Sequence, residues 1–397
     1  MIELVVGIDI AKKKHEICVK DNRGKTLLSS LHIRNTWSDV KRLLENIDRL
    51  KRRYGVSKVV FGMESTGVYH LPLYYALISS GQQVRLYNPI QSSGYRRLEI
   101  RKTSTDKIDV AIIADMLNYG EPPITEKLAP TYIELRELCR TRHRTVEKIT
   151  IVKNQIHKCL DMVWPNYDRL FSNPFGTASL TLLKRYSTPS RVRKASFEDL
   201  YQLLKSASMS QIDMLQAQKI YEHTEDVLTV PELEDAIRIE IKTLISQLEL
   251  LTQNKLRLER KIESVMRKVD TKLTTIPGIS NVLAAVIIGE IGDINRFSSY
   301  RKLVAYAGLD PSTKQSGRWT CSSGKISKRG SPLLRHALYI AANIARQCDE
   351  TFEAYFKKKR TQGKHFNVAV IATAAKMTRV VYYILKENKE YQKMTEV

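Results

Sequence analysis

The sequence predicts an α/β layer followed by an all-helical remainder. Three observations carry this. Short apolar runs alternate with helical patterns up to about residue 125. Strand signals vanish between 130 and 270. A four-then-three spacing of apolar residues then runs from Ile237 to Val269.

The elements follow in order. Leu4 to Ile10 is a mostly apolar run, the pattern of a buried strand, with Asp9 near its end. His15 to Lys20 and Lys25 to Ile33 read as two strands joined by the turn residues Asn22-Arg23-Gly24. Helical spacing covers Asn35 to Arg53, and strand Val59 to Met63 ends at Glu64. A helix from about Gly67, a strand Gln83 to Tyr87 and a helix around Thr105 to Leu117 complete a β-β-β-α-β-α-β-α order. That order suggests a sheet with an antiparallel edge. We place its boundary at 1–125.

The segment 126–270 is expected to be helical. Leu138, Ile149, Val152, Ile156, Cys159 and Val163 form one apolar stripe, flanked by seven Lys/Arg between Arg136 and Lys158. A turn-rich stretch from Asn173 to Pro189 follows. Ile237, Ile241, Leu244, Leu248, Leu251, Lys255, Leu258, Ile262, Val265 and Val269 mark a heptad seam, about 50 Å long. A coiled coil, within the chain or between two copies, is the expectation. The segment 271–397 reads as a mostly helical third domain. It has Ser280 capping a helix after Pro277-Gly278-Ile279, a loop from Asp310 to Pro332, and helices Leu333–Gln347 and Val368–Glu387.

The 397 residues carry 65 Lys+Arg against 42 Asp+Glu, a net charge of +23, with 43% hydrophobic residues. The hydrophobic share excludes wholesale disorder. No apolar run reads as a bilayer span and the first residues are not a signal peptide, so neither a membrane nor export is expected. The positive surplus points to a polyanion, with nucleic acid first. Five scattered cysteines without a CxxC pair fit free thiols in a reducing cytoplasm.

Two constellations can carry chemistry. Asp9 and Glu64 end apolar strands, and Asp106 and Asp109 lie three apart on one helical face. Four converging carboxylates need cations, and Mg²⁺ is the hard ion that prefers oxygen. A pair of such ions clamps the attacking and leaving oxygens of phosphoryl transfer. Asp115 lies off that face and is set aside. The second constellation spans Pro311 to Arg346, with seven Lys/Arg, no acid and six serines. That is a phosphate-binding composition. Gly324-Lys325 is not a P-loop, because Trp319 and Ile326 stand where that motif needs Gly and Ser or Thr. Pro277-Gly278-Ile279 has part of a helix-hairpin-helix pattern, a second phosphate-holding turn.

These residues resemble a known family. Gly7-Ile8-Asp9-Ile10-Ala11-Lys12, Met63-Glu64-Ser65-Thr66-Gly67 and Lys102-Thr103-Ser104-Thr105-Asp106-Lys107-Ile108-Asp109 are similar to the N-terminal domain of DEDD-type insertion-sequence transposases. This family includes the Piv-type DNA invertases and the bridge-RNA-guided recombinases. Ile276-Pro277-Gly278-Ile279, Gly289-Glu290-Ile291-Gly292-Asp293, Ala305-Tyr306-Ala307-Gly308-Leu309, Gln315-Ser316-Gly317 and Ile326-Ser327-Lys328-Arg329-Gly330 follow in the family's order.

The resemblance implies an RNase H-like (RuvC-like) first domain whose Asp9, Glu64, Asp106 and Asp109 hold Mg²⁺. It also implies a C-terminal transposase domain with a serine nucleophile that joins one DNA strand covalently. By resemblance the nucleophile is Ser316, with Ser327 the competitor in the same basic loop. Lys102, Lys107, Lys314, Arg318, Lys325, Lys328, Arg329 and Arg335 are the expected nucleic-acid contacts. The implied partners are donor and target DNA, a guide RNA and further copies of the chain, as a dimer or tetramer, in a prokaryotic cytoplasm. The competing expectation is a metal-dependent nuclease or junction resolvase without a covalent intermediate.

Overall fold

Alternation decides which side of the first sheet each residue faces. In β1 (Glu3–Asp9), Leu4, Val6 and Ile8 pack into one apolar cluster, whereas Val5 packs into another on the opposite face. The fold comes from a computed structural model, which describes residues 3–65, 68–87, 92, 95, 106–119, 129–209, 211–316 and 319–392. The chain divides into two compact units, Met1–Lys127 and Leu128–Val397.

In the first unit, β2 (His15–Asp21) and β3 (Thr26–Ile33) continue from β1 as an antiparallel meander. Helix α1 (Trp37–Tyr54) starts at Thr36, whose hydroxyl accepts from the Asp39 N–H. It ends at Gly55 in the left-handed region. Strand β4 (Lys58–Glu64), helix α2 (His70–Ser79), β5 (Gln83–Tyr87) and helix α3 (Asp106–Tyr119) follow. The sheet order is β3-β2-β1-β4-β5, with β1, β4 and β5 parallel. Val40, Leu43 and Ile47 of α1 and Leu73 and Leu77 of α2 bury against Leu4, Val6 and Ile8. Ile112, Ile113 and Leu117 of α3 bury with Val5 and Val60 on the other face. The element order matches the sequence expectation, antiparallel edge included.

The second unit is built on two long helices, α4 (Pro130–Val163) and, after four short ones, α9 (Pro231–Met266). The short helices are α5 (Thr177–Arg185), α6 (Pro189–Arg193), α7 (Phe197–Ala207) and α8 (Met214–Asp226). Helix α5 occupies the stretch that turn residues marked as irregular. Val152, Ile156 and Leu160 of α4 share one core with Leu182, Leu200, Ile220, Ile237, Ile241 and Leu244. Leu135 and Cys139, at the other end of α4, share a second core with Ile262 and Val265. The two long helices therefore run antiparallel. The heptad seam of α9 is buried at both ends against its own chain, while Leu251, Lys255 and Leu258 between them are half-buried.

Helices α10 (Asn281–Ile291) and α11 (Tyr300–Ala307) come next, then strands β6 (Pro311–Ser316) and β7 (Trp319–Ile326). Helices α12 (Pro332–Cys348), α13 (Glu350–Thr361) and α14 (Phe366–Glu387) close the chain. The expected boundary at 270 falls inside this one unit, because α4 and α9 each reach from one core to the other. Two expectations are corrected. The stretch 310–332 is an antiparallel hairpin rather than a loop. Helix α14 is long and apolar enough to cross a membrane by composition, although no such run was expected. Its Val370, Ala374, Met377 and Val381 are core residues of the unit.

Candidate functional site: a carboxylate edge and a serine hairpin

The first site begins with two glycines. Gly7 and Gly62 are partners across β1 and β4. A Cβ on Gly7 would lie 2.5 Å from the Val110 carbonyl oxygen and 2.7 Å from the Ala114 nitrogen. One on Gly62 would lie 2.9 Å from Leu117 Cδ1. The paired glycines thus form a flat seat: Gly7 lets the backbone of α3 rest directly on the sheet, and Gly62 leaves room for the Leu117 side chain. The direction of α3 follows from its other contacts. Asp115 Oδ2 accepts from Lys20 Nζ at 2.6 Å, and Asn118 donates to the Asp21 carbonyl at 3.0 Å. Lys20 and Asp21 pair with Val5 and Leu4, at the start of β1. The N-terminal turn of α3 therefore points toward the end of β1.

Asp9 and Glu64 are the last residues of adjacent parallel strands, one step beyond the Ile8–Met63 pair. By the period of two they lie on the same face as Val5, Gly7, Val60 and Gly62, which is the α3 face. Asp106 opens α3, and Asp109 is half-buried one turn along. Three of the four expected carboxyl positions thus gather at one sheet edge with the backbone of the fourth; the Asp106 side chain lies outside the described residues. Among the described residues, no three His, Cys, Asp or Glu side chains form a metal-holding group. The carboxylates of Asp9, Glu64 and Asp109 and the Ser92 hydroxyl are oxygen groups, the kind a hard cation takes. Asp115, set aside from the sequence, is an ion-pair partner of Lys20.

Two features here escaped the sequence reading. Ser92, 1% exposed, donates to Glu64 Oε2 at 2.8 Å and fixes that carboxylate. Lys12, Lys13 and Lys14 are exposed just past Asp9. Lys13 and Lys14 line a groove with His32, Arg34 and Arg42 at the same end of the sheet. The run of three lysines was the available signal.

The second site is the β6–β7 hairpin. Ser316 ends β6 and pairs with Trp319 across residues 317 and 318, so it stands at the tip. Ser327 stands at the base. Its N–H donates to the Asp310 carbonyl, and its hydroxyl donates to Asp310 Oδ1. The base is clamped further. The Lys328 N–H donates to the Gly308 carbonyl and the Ser331 N–H to the Tyr306 carbonyl. Gly330, at φ +116°, lies so close to the Tyr306 carbonyl that a Cβ would be 2.0 Å from its oxygen.

Ser331 also caps α12 and donates to Glu290 Oε2 at 2.8 Å. Glu290 is 1% exposed and accepts a bidentate pair from Arg140 at 2.7 and 3.1 Å. Burial alone would raise the Glu290 carboxyl. The hydrogen bonds and charge of Arg140, with Ser331 and Arg136, hold it below the usual carboxylate range.

The expected nucleic-acid contacts divide. Lys325 and Arg329 are exposed on the hairpin and its base. Lys328 is exposed as well, in the left-handed region at φ 53°. Lys314 lies in β6 and Lys107 in the first turn of α3; their side chains, with Lys102 and Arg318, lie outside the described residues. Arg335 departs from expectation. Its Nη1 donates to the Ala307 carbonyl at 3.0 Å, where it satisfies the end of α11. The basic face of α4 is also partly spent inside the protein. Arg136 donates to the Gly289 carbonyl, Arg140 holds Glu290, and Arg142 pairs with Glu259. The Gly278 turn is not a phosphate cradle either, since a Cβ there would lie 2.5 Å from the Ala341 carbonyl oxygen of α12.

Residues 6–165 match the DEDD transposase family of the IS110 type, and residues 270–357 match the family described as Transposase IS116/IS110/IS902. The 43.6 kDa protein of insertion element IS110 from Streptomyces coelicolor is 24% identical, covering 98% of this chain and 96% of that protein. The pilin gene-inverting protein of Moraxella bovis is 21% identical over 99% of both chains. The transposase for insertion sequence element IS1111A of Coxiella burnetii is 21% identical, covering 98% of this chain and 91% of that one. Among solved structures, T. thermophilus RuvC in complex with a Holliday junction substrate is similar over 30% of this chain and 99% of that chain. Its TM-score is 0.22, at 15% identity.

Proposed function

The chain belongs to the IS110 family of transposases, enzymes of DNA strand transfer, and on that premise we propose how its residues divide the chemistry. The observation that carries the reading is that Asp9 and Glu64 end adjacent parallel strands beneath the first turn of α3, which holds Asp106 and Asp109.

In this reading the first unit is RNase H-like, and Asp9, Glu64, Asp106 and Asp109 hold Mg²⁺. Bound there, the ion would neutralise phosphate charge and stabilise the charge that develops on the reacting oxygens. Ser92 keeps Glu64 aimed. Lys12 to Lys14 draw the phosphate backbone to the acid edge. Ser316, at the hairpin tip, supplies the nucleophile. Its oxygen bonds to phosphorus as the departing sugar oxygen leaves, the hydroxyl proton is lost and the leaving oxygen gains one. The phosphodiester is exchanged rather than hydrolysed, so no external energy source is needed. Lys325, Lys328 and Arg329 lie on or beside the hairpin, where they can steady the phosphates on either side. Ser327 already donates to Asp310 and serves the hairpin's base, which favours Ser316 of the two.

Donor and target DNA, a guide RNA and a second copy of the chain complete the proposed assembly. The supports are the surplus of +23 and the resemblance to a family that includes guided recombinases. The test of the carboxylate edge is cleavage of a labelled DNA carrying the element's ends. Asp9→Asn, Glu64→Gln and Asp109→Asn are each expected to abolish Mg²⁺-dependent cleavage while DNA binding is retained. Cleavage at the wild-type rate in any of the three would remove that residue from the site.

A further inference from the structure

The residues 354–386 contain eight Lys/Arg and no Asp or Glu. They form the end of α13, the turn after it and most of α14. Five of the eight fall between Lys357 and Lys364, where every residue but Lys359 is exposed. Lys357 is paired with Glu353 at 2.6 Å. Lys358, Arg360 and Lys364 make no ion pair among the described residues. Arg360 instead donates to the Lys364 carbonyl at 2.7 Å, across the turn.

Cations at a helix C-terminus complement its dipole, and that alone accounts for one or two of them. It does not account for five, nor for Lys376 on α14 being brought to the same ring as Lys359. Like charges held this close repel, and the repulsion is relieved by a polyanion.

The aromatic groups nearby decide which polyanion. The Tyr355 ring is flanked by Lys359 Nζ at 5.4 Å and Lys376 Nζ at 4.9 Å from its centroid. Phe366 has Arg346 Cζ at 4.8 Å and the edge of Phe356 at 5.5 Å. Each ring thus already has partners that a stacking base would have to displace. Exposed cations gathered around occupied rings suit the phosphate backbone of a duplex.

We propose that the exposed turn joining α13 and α14, with Lys358, Arg360 and Lys364 at its centre, is a second DNA-holding surface that binds the phosphates of a duplex without reading sequence. It lies outside both the carboxylate edge and the serine hairpin, and it rests on the reading of the protein as one that acts on DNA.

The test uses the full chain and a 40-base-pair DNA duplex of arbitrary sequence, with affinity measured across a salt series. The triple variant Lys358→Gln/Arg360→Gln/Lys364→Gln is compared with Lys358→Gln/Lys364→Gln, which leaves the Arg360 hydrogen bond in place. A third variant, Arg49→Gln/Arg52→Gln/Arg53→Gln, removes the same charge from the exposed side of α1. A folded RNA hairpin is run in parallel. Each lost phosphate contact lowers the slope of log K against log salt by about 0.9, so the triple variant should lose 2 to 3 from the slope and the double variant about 2. Affinity for the duplex should fall about tenfold or more, with the α1 variant near wild type. An unchanged slope in both α13–α14 variants, an equal loss in the α1 variant, or a loss seen on the RNA alone would overturn the proposal. If the wild-type chain binds no duplex at all, the DNA reading fails with it; if the wild type binds and the variants match it, only this surface fails.

Discussion

Gly7→Ala is the smallest change that should separate the two halves of the carboxylate edge. The added methyl would sit 2.5 Å from the Val110 carbonyl oxygen, 2.7 Å from the Ala114 nitrogen and 3.0 Å from Ala114 Cβ. Ordinary contacts of this kind begin near 3.4 Å, so the overlap is close to 0.9 Å. Two of the three atoms belong to the helix backbone, which cannot rotate away as a side chain would. Helix α3 must therefore lift from the sheet by about half an ångström to one ångström. Overpacking of this kind costs about 1–3 kcal/mol. For a unit of this size that lowers the melting temperature by about 3–5 °C per kcal/mol. The lift also moves Asp106 and Asp109 away from Asp9 and Glu64. A misplacement near 1 Å costs on the order of 100-fold in rate. The assay pairs thermal unfolding with Mg²⁺-dependent cleavage of labelled DNA, both on the full chain. Gly7→Ala combined with Ala114→Gly relieves only the third contact and should not rescue either readout. A variant that melts with the wild type and cleaves at its rate would refute the account of the glycine seat.

Other outcomes follow from the same geometry. Asp115→Asn removes the partner of Lys20 and should leave cleavage within a few-fold of wild type, in contrast to Asp109→Asn; a full loss would bring Asp115 into the site. Glu290→Ala leaves Arg140 and Ser331 without their acceptor and should destabilise the second unit by about 3 kcal/mol in a denaturant melt, at the low end for a broken buried pair because Arg140 is part-exposed. Because the folded Glu290 carboxyl is held below its ordinary 4.5, its contribution is complete above that pH and is lost as pH falls through the folded value. The wild-type acid limb should therefore be steeper than that of Glu290→Gln. His336 is also held low, first by loss of water around it and then by His143, whose ring lies 5.6 Å away. Its neutral form is the one the fold prefers, so stability is full above pH 6.5 and declines as pH falls toward the depressed folded value. His336→Asn should flatten that decline, and an unchanged profile would count against the pair.

Sequence and structure agree where burial repeats with a simple period. The five strands of the first sheet are dense in Val, Ile, Leu and Phe, and the glycines and acids among them stand out by contrast. The hairpin was illegible for the opposite reason. Pro311–Ser316 and Trp319–Ile326 are mostly Ser, Thr, Lys and Gly, with no apolar face to alternate. What holds its base is the Asp310–Ser327 pairing and the Gly308 and Gly330 contacts, which leave no periodic trace. The basic face of α4 misled in part because Arg140 and Glu290 are 150 residues apart, and charge composition cannot say which cations already have partners. Ser92 belongs to the same class: one serine among several becomes the hydrogen-bond donor to Glu64 only through the fold.

The central claim is that carboxylates and Ser316 exchange a DNA phosphodiester rather than hydrolyse it. The most direct measurement incubates the full chain with labelled DNA carrying the element's ends and Mg²⁺, denatures it, and resolves protein from DNA on a gel. Any slow-migrating species is then digested and its modified peptide identified by mass spectrometry. The account predicts a covalent adduct on the peptide containing Ser316, absent from Ser316→Ala and from Asp9→Asn, and retained in Ser327→Ala to the extent that variant folds. Cleaved DNA with free ends and no adduct in the wild type would contradict it and leave a metal-dependent nuclease. An adduct that survives Ser316→Ala and maps to Ser327 would move the nucleophile to the base of the hairpin.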